Sequence, residues 1–357
     1  MLSFLVLSLC QVQAAESEPV LIFTNRSSLP VRAEVHTPKP SKFPLQLEPG
    51  ELASIPFRVG STLQAAQPGQ SALPLTADTI YVFSDGPVVP GGVQNWICQP
   101  VALGVPPSWQ LLPRPRRPLV AAQAPADPKQ DNVIKVVLAV DDDELTAKPV
   151  WEKRYRQRLA AASQVLEYHT GLRIEVVAQT TWITSNRITD FEQSLTEFEQ
   201  SVRPQGPTDL VIGFTSQYEL QRGKIHLGGT RGLFASHILL RESSKKMSEI
   251  EKLEVLVHEL GHYLGANHSG DDNSVMRPIL ADRQARERRF RILYDPLNAL
   301  AVNLIAAEYR ANHVRRREEL SDATRAKLLA IYVEQSRVMP EDPTSKALLS
   351  AIGAVPR

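Results

Sequence analysis

Residues 255–278, VLVHELGHYLGANHSGDDNSVMRP, carry three histidines at 258, 262 and 268, with a glutamate inside the first pair. Ser248 followed three residues on by Glu251 has the form of a capping box, so the spacing predicts a helix starting there. Ile250, Leu253, Val257, Leu260 and Leu264 then recur at helical period and form one apolar stripe. At about 100° per residue, His258 and His262 point roughly opposite that stripe, one turn apart. Any fold this chain adopts must bury one side of this helix and open the other side, with its two imidazoles, to a cleft.

Two imidazoles one helical turn apart meet the geometry that two nitrogen ligands of one Zn²⁺ need. Glu259 stands beside them, able to reach a water at the metal without ligating it. Gly265 permits a turned backbone that ends the helix, so the chain can swing back and bring His268 up as a third ligand. By chance alone an H-E-x-x-H arises in on the order of one such chain in a hundred. Requiring Gly265 and His268 as well lowers that to roughly one in a hundred thousand, which sets aside ordinary surface histidines.

The segment HELGHYLGANHSGDDNSVMRP resembles the metzincin zinc endopeptidases, whose pattern is H-E-x-x-H-x-x-G-x-x-H followed by a methionine-containing turn. Ser269, the eight-residue step to Met276, and Pro278 are most similar to the matrixin branch. The resemblance implies one catalytic Zn²⁺ held by His258, His262 and His268. It implies Glu259 as general base and acid, and Met276 as a packing residue beneath the metal. Pro278 stands where astacin-like and serralysin-like members carry a tyrosine, so no tyrosine ligand is expected. The calcium and structural-zinc loops of matrixins are not evident upstream. The implied reaction is peptide-bond hydrolysis by metal-activated water, with protein or peptide substrate extended along an edge strand around His226–Phe234. Leu227, Gly228 and Gly229 are the backbone candidates there, with a side pocket walled by the active helix and the segment after Met276. Two other readings stand beside it: a catalytically silent metzincin-like binding protein, and a hydrolase of a small or cell-wall amide.

The rest of the chain reads as two folding units. Between residues 16 and 103, short strands (VLIFTN, LPVRAEVHT, ELASIPFRV, TIYVFS) alternate with Pro, Gly, Asn and Ser turn signals, predicting a small all-β sandwich or barrel. Residues 104–132 are proline-rich and aperiodic, which is linker composition, and RPRR within them reads as a solvated stretch. From 133 to 357 the pattern changes to an α/β-type (α+β) catalytic domain with a mixed, mostly parallel sheet. Its strands are VIKVVLAV, LRIEVVAQ, DLVIGF and SHILLRE, with helices over 151–169 and 188–202. Downstream, a closing helix buries Leu297, Leu300, Leu304 and Ile305, and another spans 317–335. The last fifteen or so residues suggest nothing.

Several features narrow the function classes. Lys+Arg is 40 against Asp+Glu 39, so bulk charge argues for neither nucleic acid nor an anionic membrane surface. Residues 1–15 have the form of a signal peptide, too short to span a bilayer, predicting a secreted or periplasmic protein without stable membrane insertion. With Cys10 lost in the leader, Cys98 has no intramolecular partner. A thiol there is read as structural, with zinc capping by Cys98 as the alternative. Asp141–Glu144, and likewise Asp271 and Asp272, are read as solvated loops rather than calcium sites. His226 and His237 are read as strand residues. Asn267-His268-Ser269 is formally a glycosylation sequon, expected to be unmodified beside a ligand.

Overall fold

The computed structural model describes residues 19–38, 42–65, 71–87, 95–101, 132–188, 190–204, 206–217, 226–242, 247–287 and 290–353. The expected signal peptide and nearly all of the expected linker lie outside these residues. The β segment is a sandwich. One sheet has the order β4-β1-β7-β8, from Leu52–Pro56, Val20–Asn25, Thr79–Asp85 and Trp96–Pro100. The other has the order β3-β2-β5-β6, from Lys42–Leu47, Val31–His36, Thr62–Ala65 and Leu73–Pro74.

All six residues of β1 are buried, because its two faces enter two different cores. Leu21 and Phe23 join Val31, Val35, Leu45 and Phe83 between the sheets. Val20 and Ile22, with Leu52 and Ile80, point the other way and join the core of the helical domain. A strand apolar on both faces is the pattern of a sheet covered on both sides.

A third sheet has five strands in the order β10-β9-β11-β13-β12. These are Arg173–Trp182, Val133–Asp141, Leu210–Thr215, His237–Arg241 and Gly228–Thr230. The first four run parallel and β12 pairs antiparallel with β13, which confirms the mixed, mostly parallel sheet. Alternation in β9 again divides the layers. Ile134, Val136, Leu138 and Val140 face the large core beneath α1 (Lys148–Thr170), α3 (Glu249–Tyr263) and α4 (Pro296–Asn312). Val137 and Ala139 face the smaller core beneath α2 (Phe191–Ser201). Two further helices follow, α5 (Asp322–Val338) and α6 (Pro343–Gly353).

Local chemistry sets these boundaries. Asp190 caps α2 by accepting from the Gln193 amide at 3.0 Å. Gly171, left-handed at φ 70°, ends α1. The expected edge strand over His226–Phe234 is shorter than read, and only Gly228–Thr230 pairs. The stripe on α3 also needs correcting at its start. Ile250 is 40% exposed, since the first turn lies outside the core, whereas Val257, Leu260 and Leu264 are fully buried. The basic run RRRE between α4 and α5 is tied down at its first residue. Arg315 pairs with Asp209 at 2.7 Å and stacks on Tyr309. The tail that suggested nothing is α6.

Candidate metal centre

The capping box forms as expected: the Ser248 amide and hydroxyl donate to Glu251 at 2.7 and 2.8 Å, and α3 begins at the next residue. Its far end closes in a Schellman turn. Gly265 sits at φ +80°, its amide donates to His262 O at 3.1 Å, and the Ala266 amide reaches back to Gly261 O at 2.8 Å. That turn returns the chain beneath the helix and delivers His268. One ligand atom from each of His258, His262 and His268 lies within 4.8 Å of the others, as the spacing predicted.

The ring nitrogens are sorted by their partners. His258 Nδ1 donates to Val275 O at 2.9 Å and His262 Nδ1 to Ala266 O at 3.0 Å. A carbonyl only accepts, so each Nδ1 carries the hydrogen and each Nε2 keeps a lone pair. The two Nε2 atoms stand 3.0 Å apart with no donor between them. Tetrahedral zinc with nitrogen ligands sets such atoms about 3.3 Å apart, so the residues fit the ion. Burial holds His262 down at about 4 and His258 well below its ordinary range, with His262 as its next cause. Both rings are therefore neutral at neutral pH, as ligation requires.

Met276 is fully buried and packs beneath α3 at Gly261, where an added Cβ would come within 2.6 Å of its Sδ. Its turn is pinned on three sides. Ser269 N donates to Met276 O at 2.9 Å, Val275 N to Leu293 O at 2.8 Å, and Ser274 Oγ to Asp295 at 2.8 Å at the start of α4. Arg277, 4% exposed, pairs with the buried Glu254 of α3 at 2.7 Å and with Asp282 at 3.1 Å. Glu254 lies one turn before His258 and Arg277 follows Met276, so both ends of the motif are clamped. Neither residue was singled out in the sequence; opposite charges flanking the two halves of the motif were the available signal.

Glu259 is 6% exposed, and burial pushes its carboxyl up to about 8. β12 lies directly against it: a Cβ on Gly228 would meet Glu259 Cγ and Val255 Cγ1 at 3.0 Å. Leu227 O is turned inward to accept from the Arg241 amide at 2.9 Å. A cavity of about 330 Å³ opens beside His268, but the segment after Met276 does not wall it. Its lining comes from Ser269, Asp271, Pro296, Leu297, Val338 and Met339, so it is not the expected pocket.

Other candidates fall outside the cluster. His237 bonds Val202 O at 2.6 Å within β13, and His226 stacks on Phe191. Cys98 packs against the sandwich core, where burial pushes its thiol up to about 12, and its sulfur is not part of the ligand cluster. In the loop Asp141–Glu144, Asp142 is exposed as expected of a solvated loop, whereas Asp141 and Glu144 are taken up by protein donors. Asp141 accepts from Thr215 at 2.6 Å and Glu144 from Tyr155 and Arg154, both at 2.6 Å. Asp271 pairs with Arg26 of the sandwich at 3.0 Å. Asn267 is fully buried with its amide bonded to Ser345, which leaves a glycan no room.

A metzincin-type helix, its methionine turn and three convergent imidazoles on a mixed sheet define a zinc metallopeptidase centre. Residues 157–301 match the matrixin family, and this chain carries a matrixin-family zinc metalloendopeptidase domain. Among solved structures, an archaemetzincin from Methanopyrus kandleri aligns at 17% identity and TM-score 0.38, covering 49% of this chain and 96% of that one. A chaperone–substrate complex aligns at 10% identity and TM-score 0.35, covering 82% of this chain and 59% of that one. No curated protein matches.

Proposed function

We propose that this protein is a secreted or periplasmic endopeptidase in which His258, His262 and His268 hold one zinc ion, Glu259 transfers the proton, and substrate lies along β12. The carrying observation is the buried Glu259, next in the chain to His258 of the three-histidine cluster, with its side chain packed against the edge strand at Gly228. Zinc supplies a Lewis acid that polarises the scissile carbonyl and acidifies water. The Glu259 carboxyl, raised by burial, is drawn back to its ionised form by the charge of a bound zinc ion, and in that form it takes the proton of the attacking water and returns it to the leaving amine. β12 forms the outer edge of the sheet among the described residues, so its backbone is available to pair with an extended peptide of many sequences. No helix of the described residues is long and apolar enough to cross a membrane.

The domain division follows the same reading: leader 1–15, sandwich 16–103, linker 104–132, peptidase 133–357. Of the roles open to the sandwich (prodomain, targeting module or structural partner), the structural one has support. Val20, Ile22, Leu52 and Ile80 share a core with α4. Arg26 holds Asp271, three residues past the third ligand, and Tyr168 bonds Leu52 O. Cleavage of a broad peptide library by the full chain, stopped by a chelator and restored by zinc, tests the activity. A chain begun near residue 130 is expected to be insoluble or molten, since it exposes that shared core. Raised activity from a folded short chain makes the sandwich inhibitory instead.

A further inference from the structure

The third zinc ligand is the one whose position owes least to α3. Past the Schellman turn, residues 265–268 form an arch held from the C-terminal side of the molecule. Tyr332 of α5 donates to Gly265 O at 2.7 Å. Asn298 of α4 meets both sides of Asn267, accepting from its amide and donating to its carbonyl, each at 2.8 Å. Gln335 of α5 supports Asn298 at 2.9 Å, and Ser345 of α6 holds the Asn267 side chain. The Gly265, Ala266 and Asn267 carbonyls and the Asn267 amide are thus met by side chains, while the Gly265 and Ala266 amides close the turn on backbone carbonyls.

The same helices reach the ligand itself. Asp342 Oδ1 lies 3.1 Å from His268 Nδ1, with only 9% of the Asp342 side chain exposed. Thr344 Oγ1 is also 3.1 Å from that nitrogen and lies 2.8 and 2.9 Å from the two Asp342 oxygens. Local sequence explains the placement. Asp342 is of a type favoured at the position before a helix, and Pro343 starts α6 with its φ already set. The carboxylate is therefore fixed at a helix start and locked by the hydroxyl two residues on. A carboxylate on Nδ1 leaves Nε2 as the metal-facing nitrogen and increases its basicity.

We propose that Asp342, braced by Thr344, is a positioning residue for the zinc site, and that the α5–α6 hairpin is an integral part of that site rather than an appended tail. Both helices lie beyond the 157–301 span that matches the matrixin family. His258 and His262 donate to main-chain carbonyls; His268 alone among the ligands meets a side-chain carboxylate, which a single substitution can remove.

The inference rests on the zinc reading, and the test separates the two. Zinc affinity of the full chain is measured by competition with a chromophoric chelator for wild type, Asp342→Asn, Asp342→Glu and Thr344→Val. The exposed Asp322→Ala on α5 serves as control. The d–d spectrum of the cobalt-substituted forms and the thermal midpoint of the metal-free forms are recorded alongside. The expected result is a 10- to 100-fold weaker zinc affinity in Asp342→Asn, with an altered cobalt spectrum and an unchanged metal-free midpoint. A smaller loss is expected in Thr344→Val, partial recovery in Asp342→Glu, and no change in Asp322→Ala. Affinity within twofold of wild type in Asp342→Asn overturns the proposal. So does a lowered metal-free midpoint with unchanged affinity and spectrum, which is the mark of a merely structural residue. A wild-type chain that binds no zinc removes the zinc reading itself.

Discussion

Gly265→Ala tests whether the turn after α3 is what sets the metal centre. Gly265 holds φ +80°, where an L-residue costs roughly 1–2 kcal/mol. The new Cβ would stand 2.9 Å from Tyr332 Oη and 3.3 Å from Ile305 Cγ1, in a region with no spare space. Overpacking of this kind costs about 1–3 kcal/mol. Reduced freedom of the unfolded chain offsets roughly 0.4–1 kcal/mol. The net expectation is a destabilisation of about 3 kcal/mol, read by urea denaturation of the metal-free protein. Because Ala266 O, one residue on, orients His262, and His268 follows, zinc affinity should fall in the same variant. Adding Tyr332→Phe removes the nearest clashing atom, so the two changes should be less than additive. Stability within 0.5 kcal/mol of wild type, with unchanged zinc affinity, would refute the reasoning.

Two further predictions concern buried charge. Arg277→Ala strips the partner from Glu254, whose burial already raises its carboxyl; the expected loss is about 3–5 kcal/mol, with faster zinc release to a chelator as the methionine turn loosens. Glu254→Gln in the same chain should recover part of that loss, and its failure to do so removes the charge argument. His169 is fully enclosed and held by burial at about 3, accepting from the Tyr294 amide through Nε2. The unfolded chain takes up this proton near 6.5 while the fold refuses it. Stability is therefore complete above 6.5 and falls, by up to about 1.4 kcal/mol per pH unit, as pH drops from 6.5 towards 3. His169→Gln should flatten that slope in urea titrations at pH 7, 5.5 and 4.5; an unchanged slope places the acid sensitivity elsewhere.

What was legible in the sequence was whatever obeys a period or a fixed spacing. The ligands His258 and His262 follow from one helical face. His268 follows from the turn at Gly265, and the β-sandwich from short alternating runs. Strand lengths at the sheet edge were harder to read, because Gly228 and Gly229 carry no side chain to mark which residues pair. Burial of β1 on both faces was visible as the run VLIF, but what covers its second face was not, since α4 lies more than two hundred residues away. Asp342 is the clearest loss. It bears no spacing relation to His268, and only the folding back of α5 and α6 brings the two together. The Glu254–Arg277 clamp sat beside the motif in plain view, yet charge next to a metal helix has no period to single it out.

The central claim, that the cluster is a working peptidase centre, is tested most directly by Glu259→Gln in the full chain. Zinc stoichiometry and peptide hydrolysis are measured on the same samples. The variant is expected to keep one zinc ion per chain and to lose at least about 100-fold in turnover, the usual scale for removing a general base. A wild-type chain that binds zinc and cuts no peptide, or a Glu259→Gln chain that cuts as fast as wild type, contradicts it.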